Sequence, residues 1–190
     1  MTASAVIAGF YGKLPARGDF VTLQLPGAFI RPWDGWLSDR LGASQALLGA
    51  DWVAAWLEAP VWRFALAPGL AGPDAVLGVM LPSVDRAGRY FPMSFAALFP
   101  AGAPRRAGGD PDWLDRCESA GRAALEQDTP PDALPALMGP APIAAPDLPD
   151  GAAFWTEGGP RVEAGHRRFP ALPGTEAFHA MIAGAEAEAT

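Results

Sequence analysis

Two short stretches of this 190-residue chain concentrate side chains able to do chemistry. The first, Gly-Lys-Leu-Pro-Ala-Arg-Gly-Asp-Phe at 12–20, carries Lys13, Arg17 and Asp19. The second, Ser-Val-Asp-Arg-Ala-Gly-Arg-Tyr-Phe-Pro at 83–92, holds the Ser83 hydroxyl, the Asp85 carboxylate and the guanidiniums of Arg86 and Arg89. Guanidinium forks suit two-point contact with carboxylate or phosphate, so these seven residues are candidates for gripping a partner or a small anion. They are equally able to serve the fold. Asp85 would then cap its own loop and pair with Arg86 or Arg89, while Gly88 supplies a positive φ. A simple hairpin reversal takes only about two to five residues. The longer polar loop at 83–91 therefore points to ordered side chains, and both readings stand at this level.

Familiar catalytic signatures fail. Gly12-Lys13 has Ile7 where a phosphate-binding loop needs its first glycine, and Leu14 where it needs Ser or Thr. Ser83 lies in Pro-Ser-Val-Asp rather than a nucleophile elbow. His166 and His179 are far apart with no carboxylate at ligand spacing, and Cys117 is the lone cysteine. Neither a zinc site nor an intrachain disulfide is expected. Cys117 reads as an inert core thiol on a helix. No catalytic residue, metal or cofactor is assigned.

These two stretches must be positioned by regular elements. An apolar run at Ala5–Tyr11 reads as a buried strand feeding the first loop. Phe29, Trp33, Trp36, Leu37 and Leu41 recur at helical spacing. Asp51 is a natural N-cap for a second helix that Pro60 ends. Val61–Leu66, Val76–Leu81 and Met93–Phe99 read as three strands of an antiparallel meander, with the polar loop joining the last two. Pro111–Gln127 is an amphipathic helix. Residues 128–150 hold seven prolines and form a connector with one helical turn at Ala133–Met138. Ala152–Thr156 and Val162–Phe169 read as late strands, Thr175–Ala183 as a last helix, and Gly184–Thr190 as a frayed tail. Five of the seven tryptophans fall between Trp33 and Trp62, a core-like stripe. An exposed one would instead mark a binding face.

Half the residues are apolar and 18% are charged, enough for a real core in one domain spanning 1–190. Net charge is −7, and all of it lies in residues 101–190, where fourteen acidic residues face seven basic ones. With Lys13 the only lysine, binding to nucleic acid or to an anionic membrane is not expected. No run approaches the length of a membrane span and no secretory leader is evident, so a cytoplasmic protein is the expectation.

Four ordered motifs carry a resemblance to a known family. They are Gly-Phe-Tyr-Gly-Lys-Leu-Pro-Ala-Arg-Gly-Asp-Phe (9–20), Pro-Trp-Asp-Gly-Trp-Leu (32–37), Trp-Arg-Phe-Ala-Leu-Ala-Pro-Gly (62–69) and the stretch 78–93. Together they resemble the TagF/ImpM family of type VI secretion-associated proteins, whose pattern P-S-x-D-x-x-G-R-x-F-P residues 82–92 match in full. The motif-rich part is 5–99, followed by a divergent acidic part, 100–190. The resemblance implies an α/β fold, a three-layer α/β/α sandwich around a mixed, largely antiparallel sheet. It also implies a non-enzymatic regulator, mostly repressive, linked to a forkhead-associated-domain scaffold. The alternative from residue types is a small-molecule or phosphate-binding protein, or a hydrolase, built on Lys13, Asp19, Ser83, Asp85 and Arg89.

Overall fold

The computed structural model describes residues 5–106, 110–147 and 150–184. The first half alternates strands with helices in the order the apolar pattern predicts. β1 (Ile7–Gly12) and a short β2 (Val21–Leu23) are followed by α1 (Gly27–Leu48) and α2 (Trp52–Glu58), then β3 (Trp62–Leu66), β4 (Ala75–Leu81) and β5 (Met93–Phe99). The second half adds β6 (Arg105–Arg106), α3 (Pro111–Glu126), α4 (Leu134–Met138), β7 (Ala145–Pro146), β8 (Ala152–Thr156), β9 (Gly165–Phe169) and α5 (Thr175–Ala183).

Seven strands form one sheet in the order β2-β1-β5-β4-β3-β8-β9, and every neighbouring pair is antiparallel. The parallel component is the two-residue ladder between β6 and β7. β4 and β5 are buried at every position, as strands covered on both faces must be. Because side chains alternate along a strand, the sheet feeds two separate cores. Phe64, Val76, Leu98 and Phe154 pack with Trp33, Leu37 and Trp56 of α1 and α2 and with Phe178 and Met181 of α5. Phe10, Leu77, Val79 and Phe95 pack on the other side with Trp113, Leu114 and Cys117 of α3 and Leu134 and Met138 of α4. The result is an α/β/α sandwich.

The tryptophan stripe is core. Trp33, Trp52, Trp56 and Trp62 are buried and Trp36 is half-buried. Each indole N–H of this stripe has a partner, as a costly buried donor should, whereas the buried Trp113 N–H on the other face of the sheet has none among the described residues. Trp33 donates to Ser94 Oγ, Trp36 to the Pro173 carbonyl, Trp52 to Ser44 Oγ, Trp56 to the Ser83 carbonyl and Trp62 to the Met181 carbonyl. Such bonds tie α1 to the sheet and to the segment before α5, α2 to α1 and to the β4–β5 loop, and β3 to α5.

One local expectation is refined and another corrected. Asp51 stands at the N-cap position of α2 as expected, but it also closes a 3₁₀ turn at Gly49–Asp51 and its side chain makes no cap hydrogen bond. Its carboxylate instead accepts from the Arg161 guanidinium, which also reaches Glu58 Oε2 at 2.5 Å. The last strand begins at Gly165 rather than Val162. Residues before it form a tight turn in which Gly159 and Val162 exchange backbone hydrogen bonds, leaving Val162 buried in the core. β9 is a sheet edge carrying His166, Arg167 and Arg168. Residues 185–190, most of the expected frayed tail, lie outside the described residues. Among the described residues, no helix is long and apolar enough to cross a membrane.

Candidate functional site

β1 runs antiparallel to β5, and β5 to β4, so the loop leaving β1 and the loop joining β4 to β5 emerge at the same end of the sheet. The chain then locks the two loops together. Gly12 ends β1 with φ 149°, and a Cβ there would sit 2.1 Å from the Pro92 carbonyl oxygen, so only glycine permits this approach. The Ser83 hydroxyl donates to the Lys13 carbonyl at 2.6 Å, and the Arg86 N–H donates to the Arg17 carbonyl at 2.9 Å.

At the centre is Asp85, whose side chain is fully buried. Oδ2 accepts from Lys13 Nζ at 2.8 Å and from Arg89 Nε at 2.7 Å. Oδ1 accepts from the Ala87 and Arg89 backbone N–H groups, each at 2.9 Å. Four donors thus saturate one carboxylate. Arg89 also donates through Nη2 to the Gly18 carbonyl, joining the second loop to the first again. Gly88, at φ 81°, makes the turn that brings Arg89 back over Asp85.

Burial alone would raise the Asp85 carboxyl. The Lys13 ammonium, the Arg89 amide and guanidinium and the Ala87 amide outweigh it and hold the group well below the usual carboxylate range. A depressed carboxyl stabilises the fold fully above its unfolded value of about 4, and that contribution is lost as pH falls toward the folded value. Asp85→Asn should therefore lie below wild type by a constant margin at neutral pH, and the margin should narrow below about pH 4. Urea midpoints measured across that range check this. A margin that stays constant into acid would remove the carboxylate from the account.

The seven candidates divide by depth. Lys13, Ser83 and Asp85 are buried and hold the junction from within. Arg17, Asp19, Arg86 and Arg89 are exposed around it, with Asp19 Oδ1 4.0 Å from Arg89 Nη2. One residue escaped the sequence reading. Phe20 is 45% exposed yet firmly seated, stacked on Tyr11 at 5.2 Å between ring centres and edge-on to Phe91 at 5.0 Å. Lys13 Nζ lies 5.0 Å from its ring centre, and Tyr11 is itself anchored by donating to Asp34 Oδ1 at 2.6 Å. Burial, then the Asp34 bond and charge, push the Tyr11 hydroxyl up, so it stays a donor. The available signal was a large apolar side chain directly after Arg-Gly-Asp.

A cleft of about 280 Å³ abuts the junction at Pro82, between Leu57–Val61, the end of α3 at Arg122–Glu126 and the Gly158–Pro160 turn. None of the seven candidates lines it. Burial pushes the Cys117 thiol up, which makes it a poor nucleophile. Among the described residues, no group of three or more His, Cys, Asp or Glu gathers as metal donors.

An all-antiparallel sheet between two helical layers, with a Lys-Asp-Arg junction joining two loops at one end, defines the class of protein to which comparison can be made. Residues 9–139 match the sequence profile of the TagF N-terminal domain, which is type VI secretion system-associated. The chain belongs to the TagF family of type VI secretion system-associated proteins. Its fold is similar to the crystal structure of PA0076 from Pseudomonas aeruginosa PAO1, with a TM-score of 0.82, 38% identity and 96% of each chain covered. The profile match extends well beyond residue 99, where the motif-rich part ends, and takes in α3 and α4. No curated protein matches the chain.

Proposed function

We propose that this chain is a non-enzymatic cytoplasmic accessory protein that regulates a type VI secretion system by protein–protein binding at the two-loop junction. The regulation is negative, and the partner is a component of the secretion apparatus, with a forkhead-associated-domain scaffold the first choice. The observation that carries this reading is the buried Asp85 junction under an exposed rim. Four donors on one carboxylate fix the backbone of both loops, so the arginines and Phe20 above it are presented in one arrangement. Preorganised aromatic and arginine side chains are what binding hot spots are made of. A hydrolase or anion-binding cleft would need the Lys13, Ser83 and Asp85 heads free to meet a ligand, and all three are engaged by partners within the chain.

The test is capture from cells carrying an intact secretion cluster, comparing tagged wild type with Arg89→Ala. The wild type should retain a secretion-system protein, and Arg89→Ala should retain about tenfold less. Secretion in the Arg89→Ala strain should rise toward that of a strain lacking the protein. A well-folded Arg89→Ala protein that matches wild type in capture and secretion would overturn the proposal.

A further inference from the structure

From the chemistry of the rim, and resting on the binding role just proposed, we infer that the segment docking on it is acidic and carries an apolar side chain that packs on Phe20. Two observations support this independently. The first is charge. Loops 13–20 and 83–91 carry four basic side chains against two acidic ones, on a chain whose net charge is −7. Among the exposed members, three guanidiniums (Arg17, Arg86, Arg89) outnumber one carboxylate, Asp19, and of the three, Arg89 pairs with a carboxylate among the described residues. Asp85 is buried and saturated, so its charge is spent on Lys13 and Arg89. Asp34, which accepts from the Tyr11 hydroxyl, is half-buried rather than exposed on the rim.

The guanidiniums also have capacity to spare. Arg86 makes no side-chain hydrogen bond among the described residues, and Arg17 reaches only the neighbouring Ala16 carbonyl at 3.2 Å. Arg86 Nη2 lies close to Gly18, the same residue whose carbonyl accepts from Arg89, so Arg86 and Arg89 converge on one point of the first loop. Carboxylates are natural acceptors for such paired forks. A basic rim on an acidic protein also favours acidic partners during encounter and rejects basic ones.

The second observation is Phe20. Nearly half of a phenylalanine faces solvent although its ring is clamped by Tyr11 and Phe91. A ring held this way loses little freedom on binding, so contact with an apolar side chain is gained cheaply. Charge alone would bind any polyanion, whereas the ring adds a requirement for an apolar group among the acids.

The probe is a display library of short random peptides selected against the intact protein, with Phe20→Ala and the Arg17→Glu/Arg86→Glu double variant as parallel targets. Recovered sequences should be rich in Asp and Glu around one aromatic or aliphatic residue. Their affinity should fall about tenfold in each variant and weaken with added salt. Replacing the peptide acids by Gln should have a similar effect. Neutral or basic recovered sequences, or acidic ones indifferent to both variants, would overturn the inference. Arg17 and Arg86 are exposed, so the double variant should keep the wild-type circular dichroism and melting profile. Phe20→Ala removes a ring packed on Tyr11 and Phe91, so it should keep the circular dichroism but melt somewhat lower, and its binding is measured well below that transition. If a secretion-system protein is captured in an Arg89-dependent way while the peptides fail, the binding role survives and only the stated partner chemistry falls.

Discussion

Asp85→Ala is expected to cost about 3–5 kcal/mol of folding stability, the penalty of breaking a buried ion pair from one side. The variant leaves Lys13 buried with no counter-charge, frees Arg89 and orphans the Ala87 and Arg89 amides that the carboxylate accepted. Lys13→Met should cost less, because Asp85 would keep three of its four donors. The Lys13→Met/Asp85→Ala double variant should lose less than the sum of the single losses, since an unpaired buried ammonium is no longer present. Urea denaturation of the four proteins gives the coupling directly. A loss below about 1 kcal/mol for Asp85→Ala would place the pair with exposed surface bridges and contradict its burial.

Gly12→Ala should be the second severe change, and it acts through geometry rather than charge. The added methyl meets the Pro92 carbonyl oxygen at 2.1 Å and Met93 Cα at 2.8 Å, both backbone atoms that cannot swing aside. A side chain at φ 149° adds strain of about 1–3 kcal/mol, and overpacking adds about 1–3 kcal/mol more. The nearest relief is separation of the loop after β1 from the end of the β4–β5 loop. That movement would pull the Lys13 carbonyl from Ser83 and the ammonium from Asp85. Gly12→Ala should therefore lower the melting temperature and also abolish partner capture in whatever fraction folds. By contrast Gly35→Ala, in the interior of α1 where the added carbon meets nothing within 4 Å, should raise the melting temperature slightly through helix propensity and leave capture unchanged. Parallel melting and capture of the two variants separates the steric effect from a general intolerance of alanine.

Much of the fold was legible because its signals are local. A continuous apolar run gave β4 and β5, a helical stripe of tryptophan and leucine gave α1, and alternation gave β3. Asp51 holds the expected N-cap position without the cap bond, because Arg161, 110 residues away, competes for the same carboxylate. Val162 misled because a glycine-proline turn at 158–160 is readable, but its closure by Val162, which exchanges backbone hydrogen bonds with Gly159, is not, and that delays the strand to Gly165. At the site, the residue types showed that 12–20 and 83–92 were unusual. They did not show which heads would be buried. Depth follows from the antiparallel register of β1, β5 and β4, which stacks one loop on the other. Phe20 was missed for the same reason, since its exposure depends on Tyr11 and Phe91 already occupying the space beneath it.

The free margins of the sheet also limit how this protein can associate. One margin is β2, only three residues long, and the other is β9, studded with His166, Arg167 and Arg168. Short or charged border strands discourage another chain from adding itself as an eighth strand, the route that leads to fibrils and runaway polymers. Borders of this kind fit the binding role proposed above, which places contact not on main-chain ladders, which read little sequence, but on side chains at the end of the sheet, which can discriminate one partner from many.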